Sequence, residues 1–270
     1  MLANIDGTHI AYSDNGAGTA LVFLHAFPLN RTMWVPQEVH LSRRFRVVTV
    51  DLRGHGESDA PLWHSSLEQY ADDVNGLLDH LEIQQAVLIG LSMGGYVSFA
   101  FYRKYARRVQ ALVLADTRAA ADSAEARSGR FNLVQTAYRK GAGAVAEIML
   151  PKLLGATSMA ERPGIVRQVR HMIETCEVSG IVVDSMAMAE RPDSMSLLSL
   201  ITCPTLVIVG EEDGTTPPSE ARVMAQGIPG ARLSIIPGAG HISNLEQPDL
   251  FNQEVAKFVE ERNARAGESH

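Results

Sequence analysis

Cysteine is scarce in this chain of 270 residues, which holds only Cys176 and Cys203. Two cysteines cannot supply the disulfide framework of a small secreted protein, and these two lack the short spacing of a metal-binding motif. We therefore expect two free thiols that pack as small apolar side chains. The sequence predicts neither a metal nor a cofactor.

Positive charge is also in short supply. The formal net charge is −7 and the isoelectric point is about 5.7. This balance disfavours the large electropositive surface that nucleic acids or anionic membranes bind. We therefore expect neither nucleic acid nor a membrane as a partner.

Long hydrophobic runs are absent as well. No apolar run approaches the roughly 20 residues that span a bilayer, and the N-terminus MLANIDGTHI lacks the basic and then apolar pattern of a signal peptide. A cytoplasmic location is the resulting expectation. The oligomeric state is not indicated.

The hydrophobic and charged fractions, 46% and 20%, are typical of a globular protein. Short runs rich in Val, Ile and Leu lie at Ala20–His25, Arg46–Val50, Ala86–Leu91, Val109–Ala115, Thr205–Gly210 and Leu233–Ile236. Helical patterns lie at Ser66–Leu81, Gly94–Tyr105, Pro218–Gly227 and Pro248–Arg262. Because the strands lack polar alternation and alternate with helices, they predict an α/β fold with a mostly parallel, doubly wound sheet. Ala3–Ser13 predicts an N-terminal β-hairpin around Asp6 and Gly7.

One stretch breaks the alternation of strands and helices. Residues 119–198 contain several helical segments and no convincing strand. We interpret this stretch as a helical cap inserted into one sheet domain, whose two parts are residues 1–118 and 199–270. Ordinary helix packing remains the alternative for any single residue of the insertion.

The sequence GLSMGG at positions 90–95 follows a predicted strand and precedes a predicted helix. It matches the G-x-S-x-G nucleophile elbow, a sharp turn that exposes a serine hydroxyl above the sheet. Glycines on both sides of Ser92 let strand and helix backbones approach closely. Ser92 is therefore the candidate nucleophile.

A serine hydroxyl needs a base, and the base needs a carboxylate that orients it. His241 follows the last predicted strand, and Asp213 follows the strand before it. Both are therefore expected at the carboxyl edge of the sheet, where open parallel sheets bind ligands. The chain order Ser92, Asp213, His241 predicts a catalytic triad with His241 as base and Asp213 as acid.

A second carboxylate competes with Asp213 for the role of the acid. Asp116 ends the strand Val109–Ala115, but pairing with Arg118 or capping of the next helix explains it structurally. Glu211 and Glu212 share the loop of Asp213 and are weaker candidates.

The segment His25-Ala-Phe-Pro28 follows a strand at the position of an oxyanion loop. Acyl transfer builds negative charge on the carbonyl oxygen, which two backbone N–H groups stabilise. We assign these donors to Phe27 and to Met93, the residue after the nucleophile. The loop Asp51–Ser58 lacks the ending of a phosphate-binding loop, and we interpret it as a structural turn.

Several stretches together resemble the α/β-hydrolases, most closely bacterial carboxylesterases, cofactor-free perhydrolases and 3-oxoadipate enol-lactonases. These stretches are His25–Trp34, Asp51–Ser58, Leu91–Tyr96, Ala115–Arg118, Ala189–Asp193 and Gly238–Pro248. The resemblance implies the α/β-hydrolase fold and the same five site residues. Ala26 departs from it, because such proteins usually have glycine there, and a β-carbon at this position limits positive φ in the oxyanion loop.

The sequence therefore predicts a cofactor-independent hydrolase of small to medium carboxylic esters, a serine carboxylesterase. Enol-lactone hydrolysis and peracid formation use the same residues and stay open as alternatives. A ligand-binding protein of the same fold without catalysis is the rival from another class, but such a protein has no need of all three triad residues.

Overall fold

The computed structural model describes residues 1–60 and 65–267, with side chains to residue 264. Positions 61–64 of the predicted first core part and 268–270 of the second lie outside the described residues. The strands are β1 (Leu2–Ile5), β2 (Thr8–Asn15), β3 (Ala20–Leu24), β4 (Arg46–Val50), β5 (Ala86–Leu91), β6 (Val109–Ala115), β7 (Thr205–Gly210) and β8 (Arg232–Ile236). They form one sheet in the order β1-β2-β4-β3-β5-β6-β7-β8.

All pairs from β4 to β8 in this order are parallel, whereas β2 pairs antiparallel with both β1 and β4. The predicted hairpin and the predicted parallel sheet are thus confirmed. Strands β3, β5 and β7 are buried along their whole length, which is the reason their sequences carry no polar alternation.

Eleven helices occur in the described part of the chain. They are α1 (Val35–Leu41), α2 (Leu67–His80), α3 (Met93–Tyr105), α4 (Ala124–Leu153), α5 (Ala156–Glu161), α6 (Pro163–Glu174), α7 (Val178–Glu190), α8 (Met195–Leu198), α9 (Pro218–Gly227), α10 (Ser243–Glu246) and α11 (Pro248–Gly267). Short 3-10 helices cover Arg31–Trp34 and Ala106–Arg108. None of the helices described is long and apolar enough to cross a membrane.

Helices α4 to α8 all lie between β6 and β7 in the chain, and we call residues 119–198 the helical insertion. Its longest helix, α4, is kinked at Gly141, where φ is 77°. Helix α4 packs against α6 and α7. Buried apolar residues of the insertion, which include Val145, Ile173 and Ile181, belong to the same hydrophobic core as the residues of the sheet.

Candidate active site

Ser92 lies on a tight turn between β5 and α3. Its φ of 54° and ψ of −110° are rare for a residue with a side chain. The end of β6 holds this turn: Ser92 N–H donates to the Ala115 carbonyl at 3.0 Å, and Thr117 Oγ1 donates to the Ser92 carbonyl at 2.8 Å. A side chain at Gly94 would overlap the carbonyl of Leu24, so glycine lets α3 begin directly beside β3. Such a strained, well-supported turn is typical of a functional position.

Hydrogen bonds join Ser92, His241 and Asp213. Ser92 Oγ lies 2.8 Å from His241 Nε2, and His241 Nδ1 lies 2.8 Å from Asp213 Oδ2. When Nδ1 carries the proton, the imidazole donates to the carboxylate and its Nε2 accepts from the serine hydroxyl. The three side chains come from the loops after β5, β7 and β8, and all are buried. The structure thus brings these predicted residues together at the carboxyl edge of the sheet.

Asp213 is surrounded by hydrogen-bond donors. Its Oδ1 accepts from the backbone N–H groups of Thr215 at 2.8 Å and Thr216 at 2.9 Å, and its Oδ2 accepts from Thr216 Oγ1 at 2.7 Å. Burial alone raises the pKa of Asp213, but the neighbouring His241 and these donors outweigh burial and hold the pKa below its usual value. Asp213 is therefore an ionised acceptor for His241 Nδ1.

Asp116 has a different role from the one predicted. It neither pairs with Arg118 nor caps α4, whose N-cap is Ser123. Instead its Oδ1 accepts from Gly210 N–H at 2.7 Å and its Oδ2 accepts from Ser243 Oγ at 2.5 Å. Burial raises the pKa of Asp116 well above its usual value, and the charge of Asp213 raises it further.

The two other carboxylates of the Asp213 loop do not contact His241. Glu211 is exposed, and Glu212 accepts from Thr157 N–H at 2.9 Å in the helical insertion. Of the four candidate acids, only Asp213 is hydrogen-bonded to His241 among the described residues.

The loop after β3 is fixed by His25. The imidazole Nδ1 donates to the Ala26 carbonyl at 2.9 Å, and its Nε2 accepts from Leu52 N–H at 3.0 Å. Burial lowers the pKa of His25 well below its usual value, and the neighbouring His55 lowers it further. His25 is therefore a neutral structural link between two loops.

The backbone tolerates alanine at position 26, where the proteins that the sequence resembles usually have glycine. In the described part of the chain, the residues other than glycine with positive φ are Asp6, Glu82, Ser92 and Asp116. Ala26 is absent from this set, so its β-carbon causes no backbone strain.

The backbone N–H groups of Phe27 and Met93 have no acceptor among the described residues. Met93 directly follows Ser92, and Gly94 N–H donates to the His25 carbonyl at 3.1 Å, which holds the loop of Phe27 against the serine turn. Two unused donors therefore lie on two segments that contact each other beside Ser92.

A cavity of about 350 Å³ adjoins this region. It reaches the oxyanion loop at Phe27, the end of β6 at Arg118 and the Asp213 loop at Thr215, and its far wall is α4, with Leu133 and Met149. Segment Ile181–Met188 contributes no wall residue to this cavity. Helix α7 packs against α4 instead.

Charged groups also line this cavity. Asp122 pairs with Arg130, which lines the cavity too, and with Arg191 at 2.6 Å. Arg118 donates through Nη2 to the Thr215 carbonyl at 2.5 Å, whereas its buried Nε has no partner in the described structure. The ammonium group of Lys152 is exposed and makes no ion pair with a described residue. The cavity is therefore apolar with an excess of positive charge.

Thr216 and Thr117 contact the candidate site, but the sequence did not predict them as site residues. Thr216 contacts both Asp213 and His241, with its Oγ1 3.1 Å from His241 Nδ1. Its position three residues after Asp213 is the one available signal, since a threonine there closes a turn around the carboxylate. Thr117 carries no such signal, because its bond to the Ser92 carbonyl depends on the pairing of β5 with β6.

Known proteins share this architecture. Residues 19–248 match the family described as alpha/beta hydrolase fold. The chain is 30% identical over 244 residues to 3-oxoadipate enol-lactonase 2 of Acinetobacter baylyi, covering 90% of each. An esterase from Thermogutta terrifontis has a TM-score of 0.92 at 41% identity, with 94% of both chains covered.

The enol-lactonase from Burkholderia xenovorans LB400 has a TM-score of 0.90 at 33% identity, with 96% of this chain and 99% of that chain covered. The predicted fold and the stated resemblance are thus confirmed. The chain belongs to the α/β-hydrolase fold family.

Proposed function

We propose that the protein hydrolyses carboxylic esters through an acyl-enzyme on Ser92. The observation that carries this proposal is the line of hydrogen bonds from Ser92 Oγ through His241 to Asp213, beside two unused backbone donors. Serine is a weak nucleophile until a neighbouring base takes its proton, and His241 Nε2 is 2.8 Å away. The similarity to an esterase and to enol-lactonases supports the same chemistry.

In the first half-reaction Ser92 Oγ attacks the ester carbonyl carbon while His241 Nε2 takes the hydroxyl proton. The N–H groups of Phe27 and Met93 stabilise the negative charge on the carbonyl oxygen. The bond to the alcohol oxygen then breaks, and His241 gives its proton to the departing alcohol.

In the second half-reaction water attacks the acyl carbonyl and gives a proton to His241 Nε2. The bond to Ser92 Oγ breaks, Oγ regains that proton and the acid leaves. Asp213 stabilises the imidazolium in both halves, because its carboxylate stays ionised beside Nδ1.

The helical insertion acts as a cap in this proposal. Helix α4 closes the far side of a cavity of about 350 Å³, which is at the small end of the usual range for ligand sites. We therefore expect short and medium acyl chains to be favoured over long fatty acyl chains.

The test is a panel of aryl esters of increasing acyl length, with Ser92→Ala as the control. We expect hydrolysis that peaks at short or medium chains, persists with a chelator present and is lost in Ser92→Ala. Hydrolysis by folded Ser92→Ala at the rate of the unchanged protein would contradict the proposal. So would binding of esters without turnover by the unchanged protein, the behaviour of a ligand-binding protein.

Enol-lactone hydrolysis is a second candidate, favoured by the charge of the cavity. A lactone formed from a dicarboxylic acid keeps one free carboxylate, and Arg118 and Lys152 line a cavity that suits an anion. We expect Lys152→Gln to raise KM severalfold for a carboxylate-bearing ester or lactone and to leave KM for a neutral ester unchanged. Equal effects on both substrates would contradict this candidate, and adding peroxide to the assays would reveal peracid formation.

A further inference from the structure

The helical insertion meets the loop of His241 at a very close backbone contact. This contact joins Gly155, between α4 and α5, to Gly240, the residue before His241. A β-carbon at Gly155 would come within 2.9 Å of the Gly240 nitrogen, and one at Gly240 would overlap the Gly155 nitrogen. Each of the two buried N–H groups at this contact needs a hydrogen-bond acceptor.

Glu246 supplies both acceptors. Its Oε1 accepts from Gly240 N–H at 2.8 Å, and its Oε2 accepts from Gly155 N–H at 2.9 Å. Its side chain is buried at the end of α10, with 2% of the residue exposed. A buried carboxylate is costly unless it is hydrogen-bonded, so its place between two loops calls for an explanation.

We propose that Glu246 is a positioning residue that sets the place of His241 by holding Gly240 against the helical insertion. This inference rests on the proposed function, in which His241 is the base. The imidazole must reach Ser92 Oγ and Asp213 Oδ2 at once, each at 2.8 Å. A shift of about 1 Å in such a constellation costs roughly a hundredfold in rate, so the anchor of the preceding residue acts on catalysis through His241.

Glu212 provides a matched control. Its carboxylate also binds the helical insertion, by accepting from Thr157 N–H at 2.9 Å and from Thr157 Oγ1. Among the described residues, its hydrogen bond to the His241 loop runs from its backbone N–H to the Ala239 carbonyl at 2.8 Å. Glu212→Gln therefore perturbs the hydrogen bonds to the helical insertion and keeps the backbone hydrogen bond to the His241 loop.

Glu246→Gln breaks one of the two bonds of Glu246 with little change in shape. A glutamine amide has one acceptor oxygen, so its NH2 group must face one of the two N–H donors. The experiment compares both variants with the unchanged protein by kcat and KM for a short aryl ester. It also measures the rate constant for inactivation by a small sulfonyl fluoride, with thermal unfolding as the check on folding.

The inactivation rate distinguishes two roles of Glu246. One is positioning of His241, and the other is attachment of the helical insertion without an effect on His241. A small reagent needs activated Ser92 and makes little use of the substrate cavity. We expect Glu246→Gln to lower kcat and the inactivation rate by the same factor, about tenfold or more, with KM nearly unchanged. Glu212→Gln should leave the inactivation rate unchanged.

Two results would overturn the assignment: an unchanged inactivation rate in folded Glu246→Gln, or equal losses in both variants. Should Glu246→Gln fail to fold, Gly155→Ala decides when it is compared with Glu212→Gln, because its β-carbon would lie 2.5 Å from Glu212 Oε2 and 2.9 Å from the Gly240 nitrogen while Glu246 is kept. Folded Gly155→Ala with an unchanged inactivation rate would overturn the assignment, and a reduced rate would support it. Failure of the unchanged protein to react at Ser92 would contradict the proposed function itself, and this assignment with it.

Discussion

Two buried carboxyl groups near His241 differ because their surroundings differ. Asp213 accepts two N–H groups and a hydroxyl and faces the imidazole, and its pKa is held below its usual value although burial opposes this. Asp116 also accepts from two N–H groups and a hydroxyl, but it faces the charge of Asp213 instead of an imidazole, and burial raises its pKa well above the usual value. The neighbouring group, an imidazole for Asp213 and a carboxylate for Asp116, therefore distinguishes the two acids where burial and the number of N–H and hydroxyl donors do not.

Asp213→Asn tests the acid directly. An amide in this place favours the wrong tautomer of His241, because its NH2 group cannot accept from Nδ1–H. We expect kcat to fall by about three to four orders of magnitude with the fold retained, measured by steady-state kinetics and circular dichroism. Near-normal kcat in the folded variant would show that another group orients His241.

Asp116→Asn tests the second carboxyl through pH. A carboxyl whose pKa is raised in the folded state contributes most stability below its unfolded pKa of about 3.9, and loses that contribution as pH rises through the folded pKa. The unchanged protein should therefore lose stability relative to Asp116→Asn from acid to neutral pH, in urea unfolding. A difference that stays constant with pH would contradict this, and kcat is expected to fall far less than in Asp213→Asn.

Among the elements, strands β3 to β8 were predictable because each is a short run rich in Val, Ile or Leu closed by a polar or glycine-rich loop, whereas β1 and β2 were predictable from the hairpin turn at Asp6 and Gly7. Helix α1 was not predicted. It is short, and its buried Gln37 is held by donating to the Asn244 carbonyl at 3.1 Å, a contact far away in the chain. The local periodicity of the sequence does not indicate such a long-range contact.

The same limit applies to the candidate site. The order of Ser92, Asp213 and His241 follows from motifs at strand ends, which a sequence displays. The bonds of Asp116 to Gly210 and Ser243 span 94 and 127 residues. They depend on the tertiary packing of β6, β7 and α10, and for this reason the predicted pairing with Arg118 was wrong.

The loop Asp51–Ser58 is joined to the helical insertion by a buried ion pair. His55 Nε2 is hydrogen-bonded to Asp184 Oδ2 in α7, and Tyr70 donates to the other carboxylate oxygen. Burial lowers the pKa of His55, but the Asp184 carboxylate outweighs burial and raises the pKa well above its usual value. This contact gives the loop a structural role that joins the sheet domain to the insertion.

Asp184→Asn is expected to weaken that joint in a pH-dependent way. A histidine with a raised folded pKa contributes stability that is complete below its unfolded pKa of about 6.5 and is lost as pH rises through the folded pKa. The variant should lose about 3 kcal/mol or more of unfolding free energy near pH 6, and the loss should shrink at alkaline pH. Urea unfolding at both pH values measures this, and a larger loss at alkaline pH would be evidence against the charged pair.

At the scale of the whole molecule, the sheet gathers three distant loops at one edge and the insertion lies over that edge. The net charge of −7 is not spread evenly, because Arg118 and Lys152 line the cavity beside the site. In the proposed hydrolysis of an enol-lactone, this local positive charge would attract an anionic substrate to a protein whose net charge repels anions. In the proposed function, the sheet holds the reacting groups and the helical insertion selects the substrates that reach them.

The proposed function depends on transfer of the acyl group of an ester to Ser92. The direct measurement mixes the protein with a short aryl ester, quenches with acid during turnover and locates the added mass by peptide mass spectrometry. We expect an added acyl group on the peptide that contains Ser92, formed with a burst of alcohol and absent from Ser92→Ala. An acyl group on another residue, or turnover at full rate by folded Ser92→Ala, would contradict it.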